Sequence, residues 1–577
     1  MRSADVSTGG FSPGGPVAKI ALALPLLDAW AAEDAPVVAP GIGRGMTFWA
    51  YPGRMNRRAF LLATAGGVGV AACASLRTPP AIPTSGAGRI APHVELEEAT
   101  VADLAARMAR GDVTSRALVE SYVARIEALD RAGPTLRSIL ELNPDAMAIA
   151  AALDEERRVR GPRGPLHGIP VVVKDNIDTG DRMQTTAGSL ALVGAPARQD
   201  ADVVARLREA GAVLLGKTNL SEWANIRSTR SVSGWSARGG LTRNPYALDR
   251  NASGSSSGSA VAVAASLAAV GIGTETDGSI VSPASMCGLV GVKPTVGLVG
   301  GAGIVPISHT QDTAGPMART VADAAILLGA IAQKDYRRAL DRGGARGARI
   351  GVLRRSYGEV SPFVEASFAL ALEDLRRLGA VLVDPVEIAH AKEVGEPELD
   401  VLLFELKAGM ATYLATRSEQ PARTLEDLVK FNAAHAVEEM PWFQQELFEK
   451  AVAKGGLDSP AYVEALARCR RIMRSDGIDA VMTANRLDAL VAPTGGPAWR
   501  TDFLSGDNPN GGGSSSIAAV AGYPSVTVPC GSLAELPLGI SILGAAWTEE
   551  TLLRIAFAYE QATRHRKAPT YRATIDG

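Results

Sequence analysis

The sequence predicts an α/β sandwich, in which strands and helices alternate along the chain. Short apolar runs of the length of buried strands occur at 169–173 and 212–215, and several more follow towards the C-terminus. Segments with apolar residues at helical spacing lie between them. The composition, 46% hydrophobic and 21% charged, is that of an ordinary globular protein.

The first clear helix is predicted over residues 114–131, where Thr114 or Ser115 can cap its N-terminus. Its apolar positions follow the helical period: Leu118, Tyr122, Ile126 and Leu129. The β-branched run 169–173 predicts a buried strand that ends directly at Lys174. A helix over 201–210 and a second buried strand over 212–215 come next.

The rest of the chain repeats this alternation. The run 260–270 consists almost entirely of alanine and valine and predicts a tightly packed helix. Further strands are predicted over 349–353, 488–493, 525–528 and 539–543. A last helix is predicted from about 549 to 563, with Thr548 as its cap. Residues 360–475 are predicted to be mostly helical, as an excursion that lines or covers a pocket.

Charge and cysteine usage exclude several classes of function. The 59 Lys and Arg residues balance 61 Asp and Glu residues, so no basic excess predicts a nucleic-acid or anionic-membrane partner. The four cysteines form no Cys-x-x-Cys pair, and the six histidines form no His-Glu-x-x-His pattern. We therefore predict no metal site.

The N-terminal region has the pattern of an export signal. Arg57 and Arg58 precede an uncharged run over 59–72 that is too short to span a bilayer, as in a twin-arginine signal. Cys73 follows small residues, as in a lipobox, and is a possible lipid anchor. A buried helix is the alternative interpretation. We expect residues 1–54 to be an extension upstream of the true start, 55–90 the signal and linker, and 91–577 the catalytic domain, with a periplasmic or otherwise exported product.

Residues 211–218 match the P-loop pattern GxxxxGK[ST], but the local structure that they predict does not fit it. A P-loop needs a flexible glycine-rich turn between a strand and a helix, so that backbone amides can surround a phosphate. Here the variable residues are Ala-Val-Leu-Leu, which predict the strand itself, and a helix precedes them. We predict no nucleotide site.

Residues 254–258 match the nucleophile-elbow pattern GxSxG, with Ser256 at its centre. An elbow requires a strand before the serine and a helix after it. The helix is predicted, but a loop precedes. An α/β-hydrolase-like esterase that uses Ser256 and a downstream histidine stays open as an alternative.

The same serine cluster belongs to a more specific set of three ordered segments. They are GPLHGIPVVVKDN at 164–176, ASGSSSGSA at 252–260 and GTETDGSIVSP at 273–283, with further support at 291–295, 311–316, 492–494 and 522–525. In this order they resemble the amidase signature family. Within that family, residues 275–281 and 233–240 look most like the bacterial peptide amidases. The resemblance covers about residues 95–567 and implies an α/β/α sandwich around a large mixed sheet.

The resemblance implies an amidohydrolase with a Ser-Ser-Lys triad: Ser279 is the nucleophile, Ser255 the bridging serine and Lys174 the base. Burial at the end of an apolar strand disfavours the charged form of a lysine, so Lys174 can act as a base. The backbone N–H groups of Thr276, Asp277, Gly278 and Ser279 are the expected oxyanion donors. No cofactor is implied, and the substrate is a small amide or an amidated peptide.

Two other functions remain open at this point. The resemblance also includes the amidotransferase component that supplies ammonia to charged tRNA, although an exported chain does not fit that cytoplasmic role. A non-catalytic binding protein on the same fold is the third class, which retention of the three triad residues disfavours. Asn219, Ser221, Asp312 and Thr313 either shape the site or only cap turns.

Overall fold

A computed structural model describes residues 94–194, 196–417, 422–509 and 511–575. The predicted extension 1–54, the predicted signal 55–90 and Cys73 lie outside these residues. Among the residues described, no helix is both long and apolar enough to cross a membrane. The domain boundary at residue 91 stays a prediction.

The centre of the fold is one mixed sheet of eleven strands, counted within the described residues. Its order is β1-β3-β2-β6-β8-β7-β12-β13-β11-β9-β10, and β4 pairs with β5 in a separate two-stranded ribbon. The strands are β1 (Ile139–Leu142), β2 (Pro170–Lys174), β3 (Val213–Thr218), β4 (Trp235–Ser236), β5 (Gly240–Leu241), β6 (Val270–Glu275), β7 (Val290–Lys293), β8 (Thr313–Ala318), β9 (Arg349–Leu353), β10 (Val381–Val386), β11 (Ala489–Pro493), β12 (Ser525–Leu533) and β13 (Leu536–Leu543).

Helices pack against this sheet and form a large group between β9 and β11, as the α/β prediction requires. They are α1 (Val101–Arg110), α2 (Ser115–Ile126), α3 (Ala146–Arg160), α4 (Asp202–Glu209), α5 (Ser257–Ala264), α6 (Val281–Met286), α7 (Val321–Ala332), α8 (Pro362–Arg377), α9 (Gly395–Thr416), α10 (Leu425–Ala434), α11 (Ala436–Glu439), α12 (Glu446–Val452), α13 (Pro460–Arg470), α14 (Asp479–Asn485), α15 (Ser515–Ala521) and α16 (Glu549–Thr563).

The predicted α/β/α sandwich around a large mixed sheet is confirmed, and the apolar runs explain its centre. Strand β2 is buried along its whole length and pairs in parallel with β3 on one side and β6 on the other. Strands buried on both faces need continuous apolar sequence. The predicted helical excursion over 360–475 is also found, with the edge strand β10 inside it.

Two local predictions were wrong. The helix predicted over 260–270 ends at Ala264, and β6 begins at Val270. Ser266 has a φ of 55° between them, and a run of alanine and valine carries no periodicity that separates a buried helix from a buried strand. Thr548 precedes α16, but its hydroxyl donates to the Ala545 carbonyl 2.7 Å away and does not cap the helix.

Candidate active site

Lys174 lies at the end of β2 and is completely buried. Its Nζ is 2.7 Å from Ser255 Oγ, 2.9 Å from Thr274 Oγ1 and 3.3 Å from the Thr274 carbonyl oxygen. Thr274 belongs to β6, the parallel neighbour of β2. The pairing of two central strands therefore brings the predicted base to the predicted bridging serine.

Burial also sets the protonation of this lysine. It lowers the pKa of Lys174 from 10.5 to about 7, against the opposing charges of Asp312 and Glu275. The ammonium form loses its hydration in the interior, and no carboxylate of the described residues is in direct contact with it to compensate. A substantial fraction of Lys174 is thus the neutral amine near neutral pH.

Ser255 lies on a loop that is closely enclosed. Its carbonyl accepts a hydrogen bond from the Ser221 amide at 3.0 Å, and the peptide bond between Gly254 and Ser255 is cis. A Cβ at position 254 would collide with Ser221 Oγ, so any larger residue here would displace that hydroxyl. Ser221, which the sequence left undecided, helps to fix the bridging serine.

Ser279 follows β6 and lies just before α6. It keeps 8% of its surface exposed. Its carbonyl accepts a hydrogen bond from the Ser256 amide at 3.2 Å, so the two loops that carry the serines are in contact. Gly278 has a φ of 76°, a left-handed conformation that glycine adopts without strain. In the described residues, the amides of Asp277, Gly278 and Ser279 donate to no protein acceptor.

Residues 276–279 form a loop, named the 276–279 loop, that carboxylates fix through hydrogen bonds. Glu275 Oε2 accepts hydrogen bonds from the backbone N–H groups of Ile280 and Val281 at 2.7 and 2.9 Å. Asp312 Oδ1 accepts a hydrogen bond from the Thr276 hydroxyl at 2.6 Å. Burial raises the pKa of Asp312 to about 6. Asp312, which the sequence left undecided, therefore supports the loop rather than the triad directly.

Ser256, the alternative nucleophile, is fully buried. Its hydroxyl donates to the Thr274 carbonyl at 3.0 Å and accepts the Thr274 amide at 3.2 Å, so it ties the loop to β6. The described histidines, 167, 309, 390, 435 and 565, make their contacts elsewhere, and none hydrogen-bonds to Ser256. The esterase alternative lacks the base that it needs.

The P-loop pattern is likewise part of the core, as the sequence predicted. Lys217 lies inside β3, and its Nζ donates to the Ile177 carbonyl at 2.6 Å and to Thr185 Oγ1 at 2.8 Å. A lysine inside a strand that donates to protein oxygens cannot act as the phosphate ligand of a glycine-rich turn.

Two contacts of the site were missed in the sequence. Thr274 accepts from Lys174, and Asn176 Nδ2 donates to the same Thr274 hydroxyl at 2.9 Å. A threonine in a glycine-rich strand has no pattern of its own, although Thr274 lies inside the third signature segment. Asn219 instead bonds the β4–β5 ribbon through the Gly240 carbonyl. Within the described ranges, no group of three or more His, Cys, Asp or Glu side chains could hold a metal.

Comparison with known proteins shows which family the chain matches. The family model described as Amidase matches residues 117–553. The solved structure of native peptide amidase from Stenotrophomonas maltophilia is 52% identical, with a TM-score of 0.79, over 83% of this chain and 99% of that one. A structure of the peptide amidase with the competitive inhibitor chymostatin gives 52% identity and a TM-score of 0.78, over 82% of this chain and 99% of that chain.

Curated relatives include two kinds of enzyme. A probable amidase of Arabidopsis thaliana is 39% identical over 84% of this chain and 93% of its own length. A component of the glutamyl-tRNA(Gln) amidotransferase of Chloroflexus aurantiacus is 36% identical over 82% of this chain and 99% of its own length. These matches cover nearly the whole of the related proteins.

Proposed function

Because this chain belongs to the amidase signature family and is an amide-hydrolysing enzyme, we propose that it releases ammonia from the C-terminal carboxamide of peptides with a Ser-Ser-Lys triad. The contact of 2.7 Å between Lys174 Nζ and Ser255 Oγ carries the mechanism. Similarity to a peptide amidase over 99% of that enzyme's chain supports the choice of substrate.

The contacts of Lys174 explain how it acts as a base. A neutral amine has two N–H bonds and one lone pair, and the Thr274 carbonyl and hydroxyl can accept both N–H bonds. The lone pair then faces Ser255 Oγ, which donates its proton to Nζ. Thr274 thus orients the base, and Asn176 orients the Thr274 hydroxyl by donating to it.

The reaction follows from this relay. Ser279 Oγ attacks the carbonyl carbon while its proton passes to Ser255 and the Ser255 proton passes to Lys174. The oxyanion accepts hydrogen bonds from the backbone N–H groups of the 276–279 loop. When the tetrahedral intermediate collapses, the relay returns a proton to the leaving nitrogen, and ammonia departs. Water then attacks the acyl-Ser279 ester through the same groups and releases the carboxylic acid.

A substrate panel tests this function. We expect ammonia release from C-terminally amidated peptides, with kcat/KM above that for simple aliphatic and aryl amides. Residues 89–577 and the full chain should be assayed in parallel. If only simple amides are hydrolysed, the enzyme is an amidase but the peptide assignment is wrong. If glutamine is the preferred substrate and a tRNA-dependent partner raises the rate, the amidotransferase alternative is correct.

We further propose that an aromatic pair at a loop that contacts the residues around Gly254 binds the peptide. Trp442, 45% exposed, packs against Phe503 with ring centroids 4.6 Å apart and an angle of 33° between the ring planes. Phe503 is on the loop that carries Asp507, whose carboxylate accepts the Ser233 amide at 3.0 Å. Ser233 in turn is next to Gly254. An exposed indole at this position offers apolar area to a substrate side chain.

Replacing Trp442 by alanine should raise KM for peptide amides by about fivefold, because the lost aromatic contact contributes roughly 1 kcal/mol. KM for acetamide-sized amides should stay unchanged, since they do not reach the indole. Trp547→Ala is the matched control, because Trp547 is also exposed but lies between β13 and α16. Equal effects on both substrate classes would contradict the assignment.

Export is proposed on the sequence alone. Arg57, Arg58 and the short apolar run support translocation by the twin-arginine route to the periplasm, with Cys73 as a possible site of lipidation. Cell fractionation of the full chain beside an Arg57→Lys/Arg58→Lys variant tests it. The same cytoplasmic location for both chains would exclude the proposal.

A further inference from the structure

Helix α9 presents two buried glutamates, Glu398 and Glu405, to the loops around the site. They lie two helical turns apart on one face. Their surroundings differ in one respect that determines what each carboxyl group can do: one faces hydrogen-bond donors, whereas the other faces a carboxylate.

Glu405 faces donors. Its carboxylate accepts hydrogen bonds from the Ser308 hydroxyl at 2.6 Å, the Thr310 amide at 3.1 Å and the Tyr462 hydroxyl at 2.7 Å. Such a site fits an acceptor-only carboxylate. Glu405 therefore joins α9 and α13 to the loop that precedes β8.

Glu398 has a different pair of neighbours. Its Oε1 accepts Gln311 Nε2 at 2.9 Å, and the same amide nitrogen is 3.3 Å from the Thr276 carbonyl oxygen. The carboxyl group of Asp277 lies within hydrogen-bonding reach of Glu398. Asp277 Oδ2 accepts Ser516 Oγ at 2.5 Å, whereas its Oδ1 is shielded from solvent and has no donor among the described residues.

Two carboxyl groups can hydrogen-bond to each other only if one of them carries a proton. Burial and the neighbouring Asp277 raise the pKa of Glu398 well above its usual value. Cys469 of α13 also interacts electrostatically with Glu398. Lys293 at the end of β7 and Glu275 both interact electrostatically with Asp277. We therefore assign the shared proton to Glu398, the carboxyl group whose pKa is raised.

We propose that Glu398 is a positioning residue of the 276–279 loop, which it holds as a neutral acid by donating a hydrogen bond to Asp277 while accepting one from Gln311. This inference rests on the proposed function, in which the amides of that loop stabilise the oxyanion. A displacement of those amides weakens an interaction made in the transition state, so kcat changes and KM does not.

The test compares Glu398→Gln with Glu398→Met, and with Glu405→Gln on the same helix. Glutamine carries an NH2 donor group and a carbonyl acceptor, so it can replace both hydrogen bonds of a neutral acid, and Glu398→Gln should keep kcat within about threefold of wild type. Glu398→Met fills the same volume without hydrogen bonds and should lower kcat about 10- to 100-fold with little change in KM. Glu405→Gln places an amide group among donors and should lower the Tm more than Glu398→Gln does.

The pH profile of kcat gives a second readout for the case in which Glu398→Met does not fold. The alkaline limb of Glu398→Gln should lie at the same pH as in wild type or higher, because glutamine has no proton to lose. A limb at lower pH would overturn the proposal, as would a Glu398→Gln variant as slow as Glu398→Met, or full kcat in Glu398→Met. Activity in Ser279→Ala would instead overturn the proposed function itself.

Discussion

Replacing Ser279 by alanine is expected to lower the rate of ammonia release by roughly 10⁴- to 10⁶-fold, as in other serine hydrolases that lose their nucleophile. The reason is that no acyl-enzyme forms when the attacking oxygen is absent. Substrate should still bind, so isothermal titration with a peptide amide should give a Kd close to KM of the wild type. A stopped assay for ammonia measures the residual rate.

Ser256→Ala is the matched control, because it removes a serine hydroxyl from the neighbouring loop and leaves Ser279 in place. It leaves the Thr274 amide and carbonyl without their partner, and we expect a loss of about 1–2 kcal/mol in the free energy of unfolding. Its rate should fall by no more than about tenfold, through small shifts of Thr274. The reverse order of the two variants would make Ser256 the nucleophile.

The second large effect is expected at Lys174. Lys174→Met should lower kcat about 10²- to 10⁴-fold, because the relay loses its proton acceptor. In the wild type, kcat/KM should rise as pH passes about 7, where the buried ammonium loses its proton. Lys217→Met is a suitable control, since Lys217 is buried in the adjacent strand β3 but does not contact Ser255. Equal losses in both variants would contradict a specific role as base.

The same substitution should affect stability in the opposite direction. The pKa of Lys174 is lower in the folded state than in the unfolded state, so the unfolded chain binds more protons between pH 7 and 10.5. The contribution of this residue to the free energy of unfolding therefore rises across that window and is least favourable below pH 7. The gain in Tm from Lys174→Met should thus be larger at pH 6 than at pH 10, which differential scanning calorimetry can measure.

The sequence predicted the parts of this molecule that depend on local pattern. The apolar run before Lys174 predicted a buried strand and a perturbed lysine, and both are found. The structure of the 260–270 region was not predictable, since alanine and valine satisfy a helix and a central strand equally. That ambiguity concealed the start of β6, the strand that supplies Thr274.

Long-range contacts account for most of the remainder. Only the order of the signature segments connected Lys174 with Ser255, because the contact depends on which strands pair in the sheet. Glu398 was not predicted at all. It occupies an ordinary helical position, and its role depends on a carboxyl neighbour, Asp277, that is distant in the chain.

The attachment of α9 to the catalytic loops has a consequence for how the enzyme fails on heating. Lys174 and Thr274 belong to central strands, whose amides are expected to exchange with deuterium only through global unfolding. The helices α9, α10, α12 and α13 pack in two clusters that are separate from the largest core, although one of these clusters also includes residues of β9, β10, β11 and β13. We expect these helices to open as a cooperative unit before the centre of the sheet does. Because Glu398 and Glu405 belong to that unit, its opening would release the 276–279 loop while the sheet is still intact. Inactivation should then precede melting, and cooling should restore the enzyme.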